Sequence, residues 1–163
     1  MHPDGTGATL LERAVAPALS GVSPDGRYAD WVEQDRLNFR NTVHVLEVDS
    51  GRVLPFEIDV QYTLGAPAVL WGRTRWSPDG RSLYVLGENE QGLAGIYEQR
   101  FDPDHDTRAT RRPVAGFSPE YVTESFGVSP DGSRLTLSTG QETAEILVAE
   151  GVPGAAPPVR SER

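Results

Sequence analysis

Short runs of alternating apolar and polar residues recur three times along the chain, and each run follows the same four residues. The runs are RYADWVE from Arg27, RSLYVLG from Arg81 and SRLTLST from Ser133. Alternation with a period of two is typical of a β-strand that has one buried face. When the three runs are aligned on the four residues that precede them, Trp31, Val85 and Leu137 occupy equivalent positions. We predict that all three side chains face the core.

Each of the three units contains further apolar runs and no segment with helical periodicity. A short run precedes the alternating one, such as LWGRTRW from Leu70, and later runs follow it: VHVLEVD and RVLPFEI, IYEQRFD and TRRPVAGF, and ILVAEG. Four short strands per unit predict an all-β fold made of antiparallel four-stranded blades, as in a complete or partial β-propeller.

The four repeated residues, Ser-Pro-Asp-Gly, are predicted to form a hairpin corner between the first two strands of each blade. Pro presets the backbone of a type I turn, Asp tolerates the next position, Gly takes the left-handed conformation, and Ser bonds backbone amides. The serines are 54 and 52 positions apart, a spacing typical of repeated structural units. The corners are Ser23, Pro24, Asp25, Gly26; Ser77, Pro78, Asp79, Gly80; and Ser129, Pro130, Asp131, Gly132.

These motifs resemble the WD40-like β-propeller repeats of the TolB type. The segment WSPDGRSLYVLGENEQGLAGIYEQRFDP, from Trp76, is the most similar copy, and VHVLEVDSG, from Val43, has the Asp-to-Gly ending of such a repeat. The resemblance extends over about residues 1–150, and it implies a propeller of this repeat type.

The resemblance implies a division of the chain into three blades and two end segments. Residues 1–17 would be an orphan outer strand of a preceding or shared blade. Residues 151–163 are rich in proline and alanine, so their composition predicts a disordered tail. The blades would be 18–60, 61–117 and 118–150, the last with three strands. Because propellers usually close with four to eight blades, two hypotheses remain. In the first, the chain is the C-terminal part of a larger protein. In the second, two copies of the chain form a six-bladed ring.

Composition narrows the classes of partner. The chain has 163 residues and a net charge of −9, and all 15 basic residues are arginines, so we expect no nucleic-acid partner. The absence of cysteine excludes disulfides, cysteine-based zinc sites and thiol catalysis. No window approaches the ~18 apolar residues of a membrane span, and the first residues do not resemble a signal peptide. We therefore expect a soluble protein with no membrane partner, in a compartment that the sequence does not define.

The sequence contains few candidates for chemistry. The corner serines lack the glycine two positions later that a nucleophile elbow requires, so no catalytic residue is predicted. Asp102, Asp104 and Asp106 place carboxylates at alternate loop positions, which makes them a weak candidate cation site. Thr107 and Pro113 stand where a calcium loop needs Gly and Glu. Three separated histidines do not suggest zinc, and no cofactor is implied.

The function that these observations favour is a non-catalytic propeller module, a binding or scaffold unit. Its partner would be a protein, a peptide or another domain of the parent chain. Of the three tryptophans, Trp71 is the one that we least expect in the core, because it lies in the long segment that precedes the second blade. It is therefore the tryptophan most open to ligand binding. The resemblance also implies an alternative, the accessory propeller of a prolyl-oligopeptidase-like serine hydrolase whose catalytic domain is absent. A third hypothesis, a propeller enzyme, would require carboxylates of strongly shifted pKa in the central funnel.

Overall fold

The computed structural model describes residues 18–62 and 73–141, which form antiparallel strands in three sheets. Sheet 1 contains β1 (Ala18–Val22), β2 (Tyr28–Asp35), β3 (Arg40–Glu47) and β4 (Val53–Gln61). Sheet 2 contains β5 (Thr74–Trp76), β6 (Ser82–Glu88), β7 (Ala94–Arg100) and β8 (Arg112–Gly116). Sheet 3, as far as it is described, pairs β9 (Val122–Val128) with β10 (Leu135–Gly140). The predicted all-β class with antiparallel four-stranded sheets is confirmed.

Several segments that the sequence analysis singled out lie outside the described residues. These are the predicted first strand in residues 1–17, the run from Ile146, the tail 151–163, and Trp71. Within each four-stranded sheet, the spatial order of the strands is their order in the chain. Each sheet is therefore an up-and-down meander joined by hairpins.

The three Ser-Pro-Asp-Gly corners have the same geometry. The Ser23 hydroxyl donates to Asp25 Oδ1 at 2.6 Å and accepts from the Tyr28 amide at 2.9 Å. Ser77 and Ser129 repeat both hydrogen bonds at the same two distances. The glycines have φ of 73°, 70° and 71°, in the left-handed region that a glycine enters without a steric penalty.

Successive corners lie side by side, which orders the three sheets in an array. A β-carbon built on Gly80 would lie 3.7 Å from Pro24 Cδ, and one built on Gly132 would lie 3.5 Å from Pro78 Cδ. These are ordinary van der Waals distances, so the corner of each sheet contacts the corner of the next. Sheet 2 is thereby placed between sheets 1 and 3.

The main core lies between sheets 1 and 2. Phe101, just after β7, has its ring centre 4.9 Å from that of Tyr28, 4.8 Å from Trp76 and 5.1 Å from Phe56. These edge-on arrangements are favourable for aromatic rings. Aliphatic side chains with no exposed surface complete the core: Val43, Val45, Ile58, Leu83, Val85, Leu86 and Ile96.

The buried face of β2 differs from the one that alternation predicted. Tyr28, Asp30 and Val32 are buried, whereas Trp31 is only partly buried and stacks on His44 with ring centres 5.2 Å apart. The prediction that Trp31 belongs to the core is therefore wrong. When sheets pack side by side, both faces of an inner strand can be covered, and in β6 residues on both faces are buried. Alternation in the sequence therefore does not show which face of such a strand is the more buried one.

Candidate functional site: an arginine-lined groove between two sheets

A groove of about 530 Å³ separates the outer strand of sheet 1 from the middle strands of sheet 2. We call it the arginine groove. Val60, Val85 and Gly87 contribute to its walls, and its polar lining consists of Arg40, Asp59, Gln61, Glu88, Tyr97, Arg108 and Arg111. It is larger than a second pocket of about 330 Å³ beside Glu98 and Arg112, and both sheets contribute to it.

The loop of residues 101–111 carries two of these arginines to the edge of sheet 1. It contains a single 3₁₀ turn, Arg108–Thr110, just before β8. The Arg111 Nη1 group donates to the Asp59 backbone carbonyl at 2.8 Å, and Gln99 Nε2 donates to the Glu57 carbonyl at 3.5 Å. Two backbone acceptors of the edge strand β4 are thus covered, one by Arg111 of the loop and one by Gln99 of β7. These hydrogen bonds protect the edge of sheet 1 and fix the position of the loop.

Asp59 is the shared carboxylate of the groove. Arg40 Nε donates to its Oδ1 at 3.0 Å, and Arg108 Nη2 lies 3.1 Å from its Oδ2. Partial burial alone would raise the pKa of Asp59, but the hydrogen bond from Arg40 and the charges of Arg40 and Arg108 outweigh burial and lower it. Asp59 is therefore ionised at neutral pH.

Arg111 is held between the two sheets with part of its guanidinium unmatched. Its Nε donates to Gln99 Oε1 at 3.0 Å. Its Nη2 is buried and has no hydrogen-bond partner among the described residues. Burial lowers the pKa of Arg111, and the positive charge of Arg108 lowers it further. A buried N–H without an acceptor costs free energy, so Arg111 is stabilised by any additional acceptor that it can reach.

Gly87 and Tyr97 line the groove on the side of sheet 2. A β-carbon built on Gly87 would lie 3.1 Å from Val60 Cγ1 and 3.6 Å from the Tyr97 ring, so glycine lets the two sheets approach here. The Tyr97 hydroxyl donates to the Glu88 carbonyl at 3.2 Å, and burial raises the pKa of Tyr97.

An apolar hairpin tip stands at one end of the groove. Leu37, between β2 and β3, is 91% exposed, and Phe39 is 36% exposed with its ring edge-on to Tyr62. Asp35 holds the turn, since its Oδ1 accepts the amides of Leu37 and Asn38 at 3.1 Å. The tip is next to the groove because Phe39 precedes Arg40 and Tyr62 follows Gln61, and both of these line it.

Two of the three carboxylates of the candidate cation site accept hydrogen bonds within their own loop. Asp102 Oδ1 accepts the Asp104 amide at 2.9 Å, and Asp106 Oδ1 accepts the Arg108 amide at 2.8 Å. The backbone hydrogen bond from Asp104, followed by the contact with His105, lowers the pKa of Asp102. In residues 18–62 and 73–141, no three His, Cys, Asp or Glu side chains are grouped to hold a metal ion. Cation binding here stays a prediction.

Sequence reasoning did not identify the residues of the arginine groove. Asp59 and Arg111 are 52 positions apart, and no spacing rule connects them. The segment TRATRR, residues 107–112, has three arginines close together in the sequence, but nothing in it indicates that two of them, Arg108 and Arg111, reach Asp59.

Comparison with known proteins supports the fold and assigns no family. No family model matches the sequence, and no curated protein matches it significantly. A prolyl endopeptidase structure superposes with a TM-score of 0.56 at 16% identity, over 76% of this chain and 18% of its own. Prolyl oligopeptidase B from Galerina marginata gives 0.55 at 14%, over 79% and 19%.

A protein assigned as TolB from Agrobacterium tumefaciens superposes with a TM-score of 0.53 at 20% identity, over 80% of this chain and 40% of its own. The chain thus spans 18 to 40% of the length of these three structures. At these identities the likeness concerns the fold alone, which is propeller-like.

No helix of the described residues is long and apolar enough to cross a membrane.

Proposed function

We propose that this chain is a non-catalytic propeller module that binds a protein or peptide partner. The observation that carries the proposal is the exposed apolar tip, Leu37 and Phe39, next to an open groove lined by arginine and tyrosine. Aromatic residues and arginine are enriched in protein interfaces, where an apolar centre is surrounded by polar groups.

The corner serines support the non-catalytic part of the proposal. Each hydroxyl donates to an aspartate two positions later and accepts an amide five positions later. Both interactions belong to the turn, and the residue type recurs in three equivalent places. The aspartate that each serine contacts is a poor general base, because the hydrogen bond from the serine lowers the pKa of its carboxyl group.

A peptide selection tests the proposal. A displayed library of 12-residue peptides is panned against the purified chain, and the affinity of the selected peptides is measured with the variant L37S/F39S. We expect binding to weaken at least about tenfold, because an interface loses its apolar anchors. Val53→Ser is the matched control, since Val53 is 41% exposed at the other end of β4. Selection of no peptide, or equal binding by L37S/F39S, would contradict the proposal.

Two alternatives concern the assembly to which the module belongs. Two of the three structures compared above are prolyl peptidases and the third is assigned as TolB, so the likeness does not favour the accessory-propeller hypothesis over the binding module. An α/β-hydrolase domain in the parent reading frame would support it. The six-bladed ring of two copies is tested separately by size-exclusion chromatography with light scattering, in which a sharp dimer is the supporting result.

A further inference from the structure

We propose that the arginine groove binds a carboxylate side chain of an acidic peptide, whose neighbouring apolar residue contacts the Leu37–Phe39 tip. This inference rests on the function proposed above, because it names the chemistry of the partner at the same surface. The argument depends on charge balance, on unmatched donors and on the position of the tip.

Positive charge is in excess in the groove. Arg40 and Arg108 contact the Asp59 carboxylate, Arg111 donates to the Asp59 backbone carbonyl, and Glu88 also lines the groove. The described lining therefore has three positive and two negative side chains, in a chain whose net charge is −9. An added carboxylate balances this local excess, whereas a basic ligand would increase it.

Some guanidinium N–H groups of Arg108 and Arg111 have no acceptor among the described contacts. Arg108 contacts Asp59 through one nitrogen, although a guanidinium can donate two parallel hydrogen bonds to a carboxylate, and its side chain is 56% exposed. Arg111 Nη2 has no acceptor among the described residues, while Nε and Nη1 are held by Gln99 and the Asp59 carbonyl, so an acceptor that reaches Nη2 adds a hydrogen bond without breaking these two. Both arginines are on the same fixed loop and line the same groove.

The hairpin tip distinguishes a peptide from a simple anion. A groove of about 530 Å³ accommodates an acidic side chain together with part of its backbone. Leu37 is 91% exposed and adjoins the groove through Phe39 and Arg40. A free inorganic anion has no apolar part to contact this tip, whereas a Leu-Glu or Phe-Glu sequence does.

The test uses two labelled peptides, GSLEFELSG and its matched form GSLQFQLSG, with fluorescence anisotropy as the readout. We expect the Glu peptide to bind at least about tenfold more tightly than the Gln peptide, because charge-assisted pairs are stronger than neutral ones. Arg108→Gln should remove most of this difference and leave the Gln peptide unaffected. Arg52→Gln is the matched control, since Arg52 is exposed, pairs with Glu47 and lies at the other end of β4.

Equal binding of the two peptides, or an unchanged preference in Arg108→Gln, would overturn the inference. If neither peptide binds while library peptides are still selected, the carboxylate inference fails and the binding module stands; if selection fails too, both fail. Inorganic phosphate is titrated as a competitor. Displacement of the Glu peptide by phosphate at the peptide's own binding concentration would show an anion site without peptide selection, and it too would overturn the inference.

Discussion

Asp30 joins the second strand of sheet 1 to the first strand of sheet 2, and its removal should weaken the array. It is 2% exposed on β2. Its Oδ1 accepts from Trp76 Nε1 at 2.7 Å, and its Oδ2 accepts from the Thr74 hydroxyl. Both donors belong to β5 and are themselves buried, so they have no access to bulk water if the carboxylate is removed.

The expected cost of Asp30→Ala follows from these two interactions. A hydrogen bond to a charged group contributes about 1.5–3 kcal/mol, and each buried donor left without a partner costs about 1–3 kcal/mol. Relief of the buried charge offsets part of this loss, so we expect the free energy of unfolding to fall by about 3–4 kcal/mol. Domains have about 5–15 kcal/mol in total, which makes this a large fraction.

Urea unfolding followed by tryptophan fluorescence measures the change. With a slope of about 2 kcal/mol per molar urea, the midpoint should fall by roughly 1.5–2 M. Asp49→Ala is the control, since Asp49 is exposed in the β3–β4 turn and should change stability by less than about 0.5 kcal/mol. Asp30→Asn should cost less than Asp30→Ala, because an amide oxygen still accepts one hydrogen bond.

A double-mutant cycle separates the inter-sheet interaction from a local effect on β2. Asp30→Ala combined with Thr74→Val should show a coupling of at least about 1 kcal/mol. A midpoint shift below 0.5 M for Asp30→Ala, or an absence of coupling, would refute the idea that this carboxylate holds the two sheets together.

Further predictions concern the corners and the acidic loop. Ser77→Ala removes the three hydrogen bonds of the buried Ser77 hydroxyl and should lower the free energy of unfolding by about 1–2 kcal/mol in urea. The hydrogen bond from Ser129, followed by those from Ser133, lowers the pKa of Asp131 from 3.8 to about 2, so its contribution to stability is lost as the pH falls from about 4 to 2. Asp131→Asn should therefore make acid unfolding shallower in that range. Gly116→Ala should be more harmful than Gly26→Ala in thermal unfolding: both glycines have positive φ, but only at Gly116 would a β-carbon come within 2.8 Å of other atoms. If residues 102–106 bind calcium weakly, calorimetry should detect heat at millimolar calcium.

Each of these predictions has a result that would contradict it. Ser50→Ala, at an exposed turn, should be nearly neutral, and an equal loss there would remove the special role of the corner. An unchanged acid profile in Asp131→Asn, or equal melting temperatures for the two glycine variants, would contradict the explanations given. An absence of heat at millimolar calcium rejects the cation site.

Only part of the candidate surface was predictable from sequence. Sequence reasoning placed Asp102, Asp104 and Asp106 in a loop, but did not predict the docking of that loop onto β4, because Arg111 reaches an acceptor on another sheet. The exposed apolar tip of the β2–β3 hairpin was not predicted from the sequence either. Leu37 belongs to a short turn between two strands, and a single apolar residue there has no periodic pattern.

The sequence by itself determined the corners, the strands that flank them and the all-β class. The interactions that form a corner join residues at most five positions apart, and proline and glycine restrict or permit the backbone wherever they occur. Local chemistry is therefore enough, and it is repeated three times along the chain.

Only the tertiary structure decided that Asp30 is buried rather than Trp31, and that three arginines surround Asp59. Asp30 is 44 and 46 positions from its partners Thr74 and Trp76, and Asp59 is 49 from Arg108. These separations are close to the length of one repeat, so the contacts join neighbouring units. They form only when two sheets pack together, because each sheet alone would leave these charged and polar groups in water.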